Sequence, residues 1–245
     1  MAIVRARIRA AAGAIESVLL PALCVACDGV LTGDDRGLCG DCRSRLSPLS
    51  EACCHRCGTP AETDGGLCLS CVGAPPPQLG TVLWGPYDGP LRLAVLALKH
   101  RGRDEIARPL GRRLAARIGV EPWFEDITVV TAVPSHPLRR LRRGYCAAEL
   151  LADTVARLIE RPCRTALRRH GLHRQRGRTR RQRMQLALGS FSARPKVRGR
   201  RWLVIDDVCT TGTTLRRAAE TLVDAGADAV YCAAVAHAPD PRRLP

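Results

Sequence analysis

Two adjacent carboxylates and a run of threonines make residues 200–222 the segment where chemistry is most readily expected. In "RRWLVIDDVCTTGTTLRRAAETL" an apolar run leads into Asp206 and Asp207, and a threonine-rich loop around Gly212 follows. Carboxylates can accept hydrogen bonds from sugar hydroxyls or hold Mg²⁺ through water. Backbone N–H groups at the start of a helix favour a phosphate, and glycine lets the backbone approach it closely. The pattern therefore predicts a site for a sugar that carries a phosphate.

A simpler interpretation is that the threonines only cap a helix and that both aspartates lie in solvent. A cap needs one Ser, Thr, Asp or Asn, whereas this segment holds four threonines, a glycine and an acidic pair. Adjacent side chains on a strand point to opposite faces, so we do not expect the two aspartates to share one proton. The phosphate-binding hypothesis is the stronger one. Its residues are Asp206, Asp207, Thr210, Thr211, Gly212, Thr213 and Thr214.

Eight cysteines near the N-terminus have the spacing of metal ligands. Two thiolates separated by two residues can converge on one ion, and two such pairs complete a tetrahedral zinc site. The gaps between successive pairs, 11 and 10 residues, fit short hairpins. We therefore expect two structural zinc ions, each held by two pairs. The pairs are Cys24/Cys27, Cys39/Cys42, Cys54/Cys57 and Cys68/Cys71.

Two alternatives to this zinc arrangement follow from the same cysteines. In the simplest connection the first and second pairs hold one ion and the third and fourth pairs hold the other. A cross-braced connection also satisfies the spacing. A disulfide framework is disfavoured because the chain has no clear export signal and such frameworks belong to exported proteins. Cys53 directly precedes Cys54 and cannot readily share its direction, so we expect Cys53 not to bind metal.

The elements that position the acidic pair alternate between strand and helix. This alternation predicts a parallel sheet covered by helices on both faces, and ligands of such sheets bind beyond the carboxyl ends of the strands. The acidic pair ends one of these strands. Strands are expected at 81–87, 127–134, 202–206 and 229–236. Helices are expected at 104–118, 146–159 and 213–225, and an earlier one runs through Leu91, Val95 and Leu98 and ends at Lys99.

Composition shifts divide the chain into an N-terminal module and a larger α/β domain. The proline-rich "GAPPPQLG" is typical of a connector between domains. We expect a basic helix over 1–20, a double zinc ribbon over 21–74, a linker over 75–80, the α/β domain over 81–238 and a tail over 239–245.

The charge of the chain is strongly positive and unevenly distributed. The net charge is +16, and residues 161–205 contain 15 Arg or Lys but no Asp or Glu. Such a segment favours polyanions, either nucleic acid or a polyphosphate ligand. No apolar run of about 18 residues is present, which argues against a membrane-spanning helix. Glu16 interrupts the N-terminal apolar stretch, so we expect no export and a cytoplasmic location.

"VIDDVCTTGTTL" resembles the phosphoribosyl pyrophosphate (PRPP) loop of type I phosphoribosyltransferases, and the whole layout resembles the ComF family of competence-associated proteins. The family pattern of Leu-Lys before a glycine appears as Leu98, Lys99 and Gly102. The stretch "AVPSHPLRRLRRGYCAA" is similar to the segment that would line the pyrophosphate side of the site. The resemblance implies a type I phosphoribosyltransferase fold behind the double zinc ribbon. It also implies PRPP and Mg²⁺ as ligands, and a homodimer or the competence machinery as partners.

The resemblance also implies roles for individual residues. Asp206 and Asp207 would meet the ribose hydroxyls, and residues 210–214 the 5′-phosphate. Arg143 and Lys99 would stabilise the charge on departing pyrophosphate. Arg143 and Gly144 belong to the pyrophosphate side, and Gln175 and Arg183 match the family's flexible loop.

The chain departs from the family pattern at four positions. An Asn-Gln pair of the family is replaced by Cys146-Ala147, a leucine by Arg178 and an asparagine by Leu186. These positions lie on the side that would meet pyrophosphate and acceptor, whereas the ribose-phosphate side is intact. PRPP binding is therefore better supported than transfer to an acceptor.

A second function class, single-stranded DNA binding in natural transformation, follows from the basic segment and the zinc ribbons. Aromatic residues make up only 3% of the chain, so base stacking would contribute little and binding would be salt-sensitive contact with phosphates. The acidic pair discriminates between the classes, because a basic DNA-binding groove gains nothing from two carboxylates.

Overall fold

Four parallel strands form the central sheet of this computed structural model, which describes residues 22–32, 37–49, 52–60, 66–135, 144–169 and 191–239. The strands are β1 (Gly80–Pro86), β2 (Val129–Ala132), β5 (Arg201–Cys209) and β6 (Ala229–His237). Their order in the sheet is β1-β6-β5-β2. All three pairings in the sheet are parallel.

Helices cover both faces of this sheet. One face carries α3 (Gly89–His100), α4 (Ala107–Ile118) and α5 (Ala147–Leu158), and the other carries α6 (Thr213–Asp224). Side chains of β5 alternate between the two layers. Leu203 and Ile205 join the first core cluster, while Trp202 and Val204 join the second. This period of two is what a strand buried on both faces requires. The predicted α/β class is therefore confirmed.

The observed elements differ from the sequence expectations in two informative places. Strand β5 continues to Cys209, so the acidic pair lies within the paired strand rather than after it. A short antiparallel hairpin of β3 (Leu167–Arg169) and β4 (Phe191–Ala193) was not expected from the pattern. Both strands of the hairpin have three residues, too few to show a period. Short 3₁₀ turns at Asp104–Ile106 and Phe124–Asp126 precede α4 and β2.

The cysteine-rich module contains two ribbons of the same construction, each ending in a five-residue helix. These helices are α1 (Gly40–Ser44) and α2 (Leu69–Gly73). Val25 and Leu38 of the first ribbon belong to the main core cluster. A Cβ added at Gly37 would overlap the side chain of Ile106. The first ribbon thus packs into the main core and is not a separate domain.

The second ribbon and the segment that precedes it cover the free edge of β1. The Thr81 N–H donates to the carbonyl of His55 at 3.0 Å, and the Leu49 N–H donates to the carbonyl of Trp84 at 2.8 Å. Gly58 has φ +73°, and a Cβ there would lie 2.9 Å from Cγ of Leu83. An open strand edge invites pairing with other chains, so this cover protects the sheet.

Several expectations fall on residues that the structure leaves undescribed. The predicted N-terminal helix over 1–20 and nearly all of the predicted tail over 239–245 lie outside the described ranges. Among the helices within those ranges, none combines the length and apolar character needed to span a membrane.

Candidate phosphate and zinc sites

The acidic pair sits near the carboxyl end of β5, in the middle of the sheet. Asp206 lies beside Ala234 of β6, and the preceding Ile205 lies beside Ala132 at the end of β2. The Asp207 N–H donates to Oδ1 of Asp206 at 2.8 Å. Asp207 in turn accepts from Lys99, with Nζ 2.7 Å from Oδ1. The two carboxylates therefore differ, because one is held by the backbone and the other by a cation.

The pKa of Asp206 is raised to about 8, mainly by burial and secondly by the neighbouring Asp207 carboxylate. The Asp207 N–H and the charges of Lys99 and Arg169 oppose this shift and offset it only in part. This shift favours the protonated form of Asp206, in which the carboxyl group can donate one hydrogen bond as well as accept. A carboxyl group in this state suits a sugar hydroxyl, which also donates and accepts.

The threonine loop opens directly onto the N-terminus of α6. Gly212 is the N-cap with φ 73° and ψ −3°, a left-handed conformation that glycine adopts without strain. The hydroxyls of Thr211 and Thr213 lie 2.9 Å apart. The Thr213 N–H points to the Thr211 hydroxyl at 3.4 Å. Because no aspartate or glutamate lies in the first turn of α6, the positive end of the helix dipole is left to an external anion.

Lys99 reaches the acidic pair from the last turn of α3. The Tyr145 hydroxyl donates to the carbonyl of Leu98 at 2.6 Å and so fixes this turn. Gly144, with φ 78°, turns the chain just before Tyr145. The structure thereby brings together Lys99, the acidic pair and the segment around Gly144, which the sequence placed in one site. Arg143, Gln175 and Arg183, as well as Arg178 and Leu186, lie outside the described residues.

Two of the departures from the family pattern lie in the core. Cys146 is 4% exposed and Ala147 is 5% exposed. Cys146 is the N-cap of α5 and makes no side-chain capping hydrogen bond. Small apolar side chains suit such a buried position, whereas an Asn-Gln pair there would need polar partners.

Sequence reasoning missed Arg169, whose charge acts on Asp206. Its guanidinium stacks over Phe191 at 5.7 Å and donates to the carbonyl of Pro134 at 3.5 Å. The hairpin of β3 and β4 places it there. The only sequence signal was its position in the acid-free segment 161–205, which contains many other arginines.

The eight paired cysteines form two clusters, each with four sulfur atoms within 4.8 Å of one another. The clusters join successive pairs, so the cross-braced alternative is excluded. Cys39 N–H approaches Sγ of Cys24 at 3.4 Å, and Cys68 N–H approaches Sγ of Cys54 at 3.3 Å. Four converging thiols with amide support fit a tetrahedral zinc ion. The members are Cys24, Cys27, Cys39, Cys42 in one cluster and Cys54, Cys57, Cys68, Cys71 in the other.

The thiols within each cluster differ in acidity. Burial raises the pKa of Cys24, but backbone N–H groups led by that of Cys39 outweigh it and bring the value down to about 6. The same balance brings Cys54 to about 7. Burial and the neighbouring sulfurs raise the pKa of Cys42 and Cys71 well above the usual range. One thiolate per cluster thus forms readily near neutral pH, whereas Cys42 and Cys71 need the charge of an ion to lose their protons.

The acidic pair fits magnesium in ligand type, since Mg²⁺ binds carboxylate oxygens, water and substrate phosphates. Lys99 Nζ already supplies a positive charge at 2.7 Å from Asp207. A cation at Asp207 would therefore compete with Lys99 and would need negative charge from a bound phosphate ligand.

Comparison with known proteins places these two sites in a family context. The double zinc ribbon domain family matches residues 15–72, and the phosphoribosyl transferase domain family matches residues 141–245. The chain is 30% identical over 216 residues to the DNA utilization protein YhgH of Escherichia coli strain K12, covering 86% of this chain and 95% of the relative. It is 27% identical over 223 residues to competence protein F of Haemophilus influenzae, covering 88% and 96%.

Among solved structures, the glutamine PRPP amidotransferase of B. subtilis, complexed with ADP and GMP, is 27% identical and covers 53% of this chain. The match spans about a quarter of that enzyme, 26%, with a TM-score of 0.39.

Two family models together match both modules, and the relatives match over almost their full length. The first model spans both cysteine clusters, and the second spans the strand–loop–helix at the acidic pair. The chain therefore belongs to the ComF family, whose members combine a double zinc ribbon with a phosphoribosyltransferase domain.

Proposed function

We propose that this protein binds PRPP with Mg²⁺ and transfers its phosphoribosyl group to an acceptor, with release of pyrophosphate. The observation that carries the proposal is the order of groups along one strand and one helix. Asp206, an Asp207 held by Lys99 and an amide-rich helix start at Gly212 follow each other within seven residues. The two aspartates suit the ribose hydroxyls, Lys99 the pyrophosphate end and the helix start the 5′-phosphate of one ligand.

In the proposed reaction the bond between C1 of the ribose and the pyrophosphate oxygen breaks, and the electron pair leaves with pyrophosphate. A nucleophilic atom of the acceptor bonds to C1 and gives up its proton. Bound Mg²⁺ would neutralise charge on the leaving group. Lys99 would turn from Asp207 toward the developing negative charge. Water competes as acceptor, so a closed site would favour transfer over hydrolysis. Arg143 on the pyrophosphate side, and Gln175 and Arg183 of the family's closing loop, remain part of this proposal.

Calorimetric titration of Mg²⁺-PRPP into the zinc-loaded protein tests the binding step. We expect saturable binding by the wild type and its loss in the double variant Asp206→Ala/Asp207→Ala, because both ribose contacts are removed. The matched control is Asp224→Ala at the exposed end of α6, which we expect to bind like the wild type. Absence of heat with a folded wild type would contradict the proposal. Release of pyrophosphate in the presence of candidate acceptors then tests transfer.

A specific surface feature favours a second candidate function, binding of single-stranded nucleic acid. Helices α4 and α5 enclose a groove of about 370 Å³ lined by Arg108, Arg112 and Arg157, together with Thr154 and Leu158. The three arginines are exposed. Three exposed cations along one groove suit the phosphates of a nucleic-acid backbone. The groove lies on helices away from the acidic pair, so both functions can coexist.

Fluorescence anisotropy with a labelled single-stranded oligonucleotide at several salt concentrations tests this second function. Replacing Arg108, Arg112 and Arg157 by Gln removes up to three phosphate contacts. We expect the slope of log K against log salt to fall by about 2, since each contact contributes about 0.7 for single strands. The control replaces the exposed Arg92, Arg194 and Arg200. Equal slopes for both triple variants would mean that only net charge matters and that the groove is not a site.

For location, we propose the cytoplasm, where thiols stay reduced. The eight clustered cysteines form no disulfide bonds, which supports this proposal because both clusters need thiolates. A homodimer or a partner from the competence machinery is likewise proposed from the family relationship.

A further inference from the structure

A cavity of about 410 Å³ lies between the second zinc ribbon and the threonine loop. The ribbon wall contains three of the zinc ligands together with Thr59 and Ser70, and the opposite wall contains Thr211, Thr213 and Arg216. The acidic pair is not among the residues that line this cavity. The loop that is proposed to hold the 5′-phosphate therefore has a second space beside it, apart from the ribose and pyrophosphate positions. Its volume is within the range of small-molecule sites.

Gln78 of the connector gives this cavity a recognition group. It lines the wall, is 4% exposed, and its Oε1 has no hydrogen-bond partner within the part of the chain described. Buried polar atoms in native proteins are nearly always paired, and leaving one unpaired is costly. Oε1 is sealed from the cavity in this rotamer, but Gln78 lines the wall, and a turn of its side-chain amide would present the oxygen to a ligand N–H or O–H group. Sugar hydroxyls and the amino groups of nucleobases are such groups.

Electrostatics decides which end of a ligand faces which wall. Four thiolates and one zinc ion carry a net charge of roughly −2, so the ribbon wall disfavours an anion. The opposite wall has the N-terminus of α6 and the guanidinium of Arg216, which favour one. Among the described residues, the Arg216 guanidinium forms one ion pair, with Glu220 near the surface at 3.0 Å. Such pairs are weak and yield to a phosphate. A ligand with a phosphate at the loop and an uncharged, donor-bearing end at Gln78 matches both walls.

We propose that the cavity receives the uncharged nucleoside part of a nucleotide carried on the far side of the loop-bound phosphate. The ligand class is then a ribose 5-phosphate whose phosphate is linked to a nucleotide, rather than only a free 5′-monoester. This inference rests on the proposed function, because the loop must hold the 5′-phosphate of a ribose that faces the acidic pair. The second ribbon becomes one wall of the ligand site, in addition to its structural role.

The test compares ribose 5-phosphate, PRPP and ADP-ribose as ligands of the zinc-loaded full chain by calorimetry. ADP-ribose carries a ribose 5-phosphate that is linked through its phosphate to adenosine monophosphate. We expect ADP-ribose to bind at least as tightly as ribose 5-phosphate. Gln78→Leu should weaken ADP-ribose about tenfold, since one buried hydrogen bond is lost, and leave ribose 5-phosphate within about twofold. Thermal melting and zinc content verify that each variant is folded.

A second variant blocks the cavity without touching the buried connector. Ser70 is exposed on α2, and Ser70→Trp should abolish the binding of ADP-ribose while sparing ribose 5-phosphate. The matched control is Ser44→Trp on α1 of the first ribbon, where Ser44 is equally exposed. It should change neither ligand.

The remaining outcomes separate this inference from the function on which it rests. Binding of PRPP and ribose 5-phosphate with rejection of ADP-ribose would overturn the inference and leave the proposed function intact. Binding of ADP-ribose that is insensitive to both variants would also overturn it, because the nucleotide would lie elsewhere. Failure of PRPP and ribose 5-phosphate to bind would remove the proposed function and the inference together.

Discussion

Asp206 shows how one buried carboxyl group makes stability depend on pH. Its pKa of about 8 in the folded chain lies far above the ordinary value. Between about pH 4 and pH 8 the unfolded chain loses this proton while the folded chain keeps it. The free energy of unfolding therefore falls as pH rises through this window.

Replacing Asp206 by Asn should remove this pH dependence, because the amide cannot ionise and its oxygen can still accept the Asp207 N–H. We expect Asp206→Asn to unfold like the wild type near pH 5 and to be more stable near pH 8.5 by on the order of 1–3 kcal/mol. Urea denaturation at both pH values in zinc-containing buffer measures this. The exposed Asp224→Asn is the control. A variant that is less stable than the wild type at the higher pH would contradict the assignment.

Lys99 and Lys196 are the only two lysines of the chain, which provides a matched pair of variants. Lys99 bridges to Asp207, and both side chains are largely buried, at 22% and 15% exposure. Lys196 is exposed in a turn. We expect Lys99→Gln to weaken PRPP binding more than tenfold, since a charge-assisted contact to phosphate is lost, and Lys196→Gln to have no effect. Equal loss in both would show that only net charge counts.

At the scale of elements, the start of α6 depends on a single glycine in the left-handed conformation. Gly212 has φ 73° and Gly199, in a turn without neighbours near its Cβ position, has φ 69°. Gly212→Ala and Gly199→Ala should each cost about 1 kcal/mol of stability, because both impose the same strain. Only Gly212→Ala should also weaken PRPP binding, by about tenfold, as the loop amides turn away. Calorimetry and urea denaturation of the two variants separate strain from function. Unchanged PRPP affinity of Gly212→Ala would argue against the loop as the phosphate site.

The major elements could be predicted from sequence because their patterns are long and strong. The apolar runs before Asp206 and around 229–236 are typical of buried strands, and four cysteine pairs indicated both zinc sites. The hairpin β3–β4 was missed because strands of three residues carry no period. The burial of Gln78 could not be predicted, since a glutamine in a proline-rich connector is expected to lie in solvent.

Particular residues of the candidate site show the same limit. The pattern predicted a helix from residue 213 and a close approach of the backbone to an anion at Gly212, whereas the left-handed conformation of Gly212 at the N-cap is known only from the structure. The pairing of Lys99 with Asp207 links residues more than a hundred positions apart, and no local spacing indicates it. The raised pKa of Asp206 likewise depends on burial by the assembled sheet.

At the scale of the whole molecule, the two zinc ribbons stabilise the α/β domain. The first ribbon contributes Val25 and Leu38 to the main core, and the second bonds to Thr81 of the edge strand. Because ordered ribbons depend on bound metal, loss of zinc should loosen both the core and the sheet edge.

Metal content and thermal stability of single-cysteine variants test this dependence. Cys27→Ser and Cys57→Ser should each reduce zinc from two ions per chain to one, and each should lower the melting temperature by at least several degrees. Cys53 is outside both clusters, so Cys53→Ser should keep two ions and melt within about 2 °C of the wild type. Mass spectrometry for zinc and scanning calorimetry are the measurements. One ion in Cys53→Ser would contradict the assignment of ligands.

The covered edges of the sheet restrict how this molecule can assemble. Residues 49 and 55 bond to β1 on one side, and Pro162 and Arg164 bond to Val130 of β2 on the other. A homodimer built by joining the two sheets into one continuous sheet would have to displace these segments first. Pairing of intact copies edge to edge is thus disfavoured on both sides of the sheet. In the zinc-depleted protein we expect the β1 edge to lose its cover and to pair with strands of other copies. The zinc supply would then decide between ordered association and fibre-like aggregation.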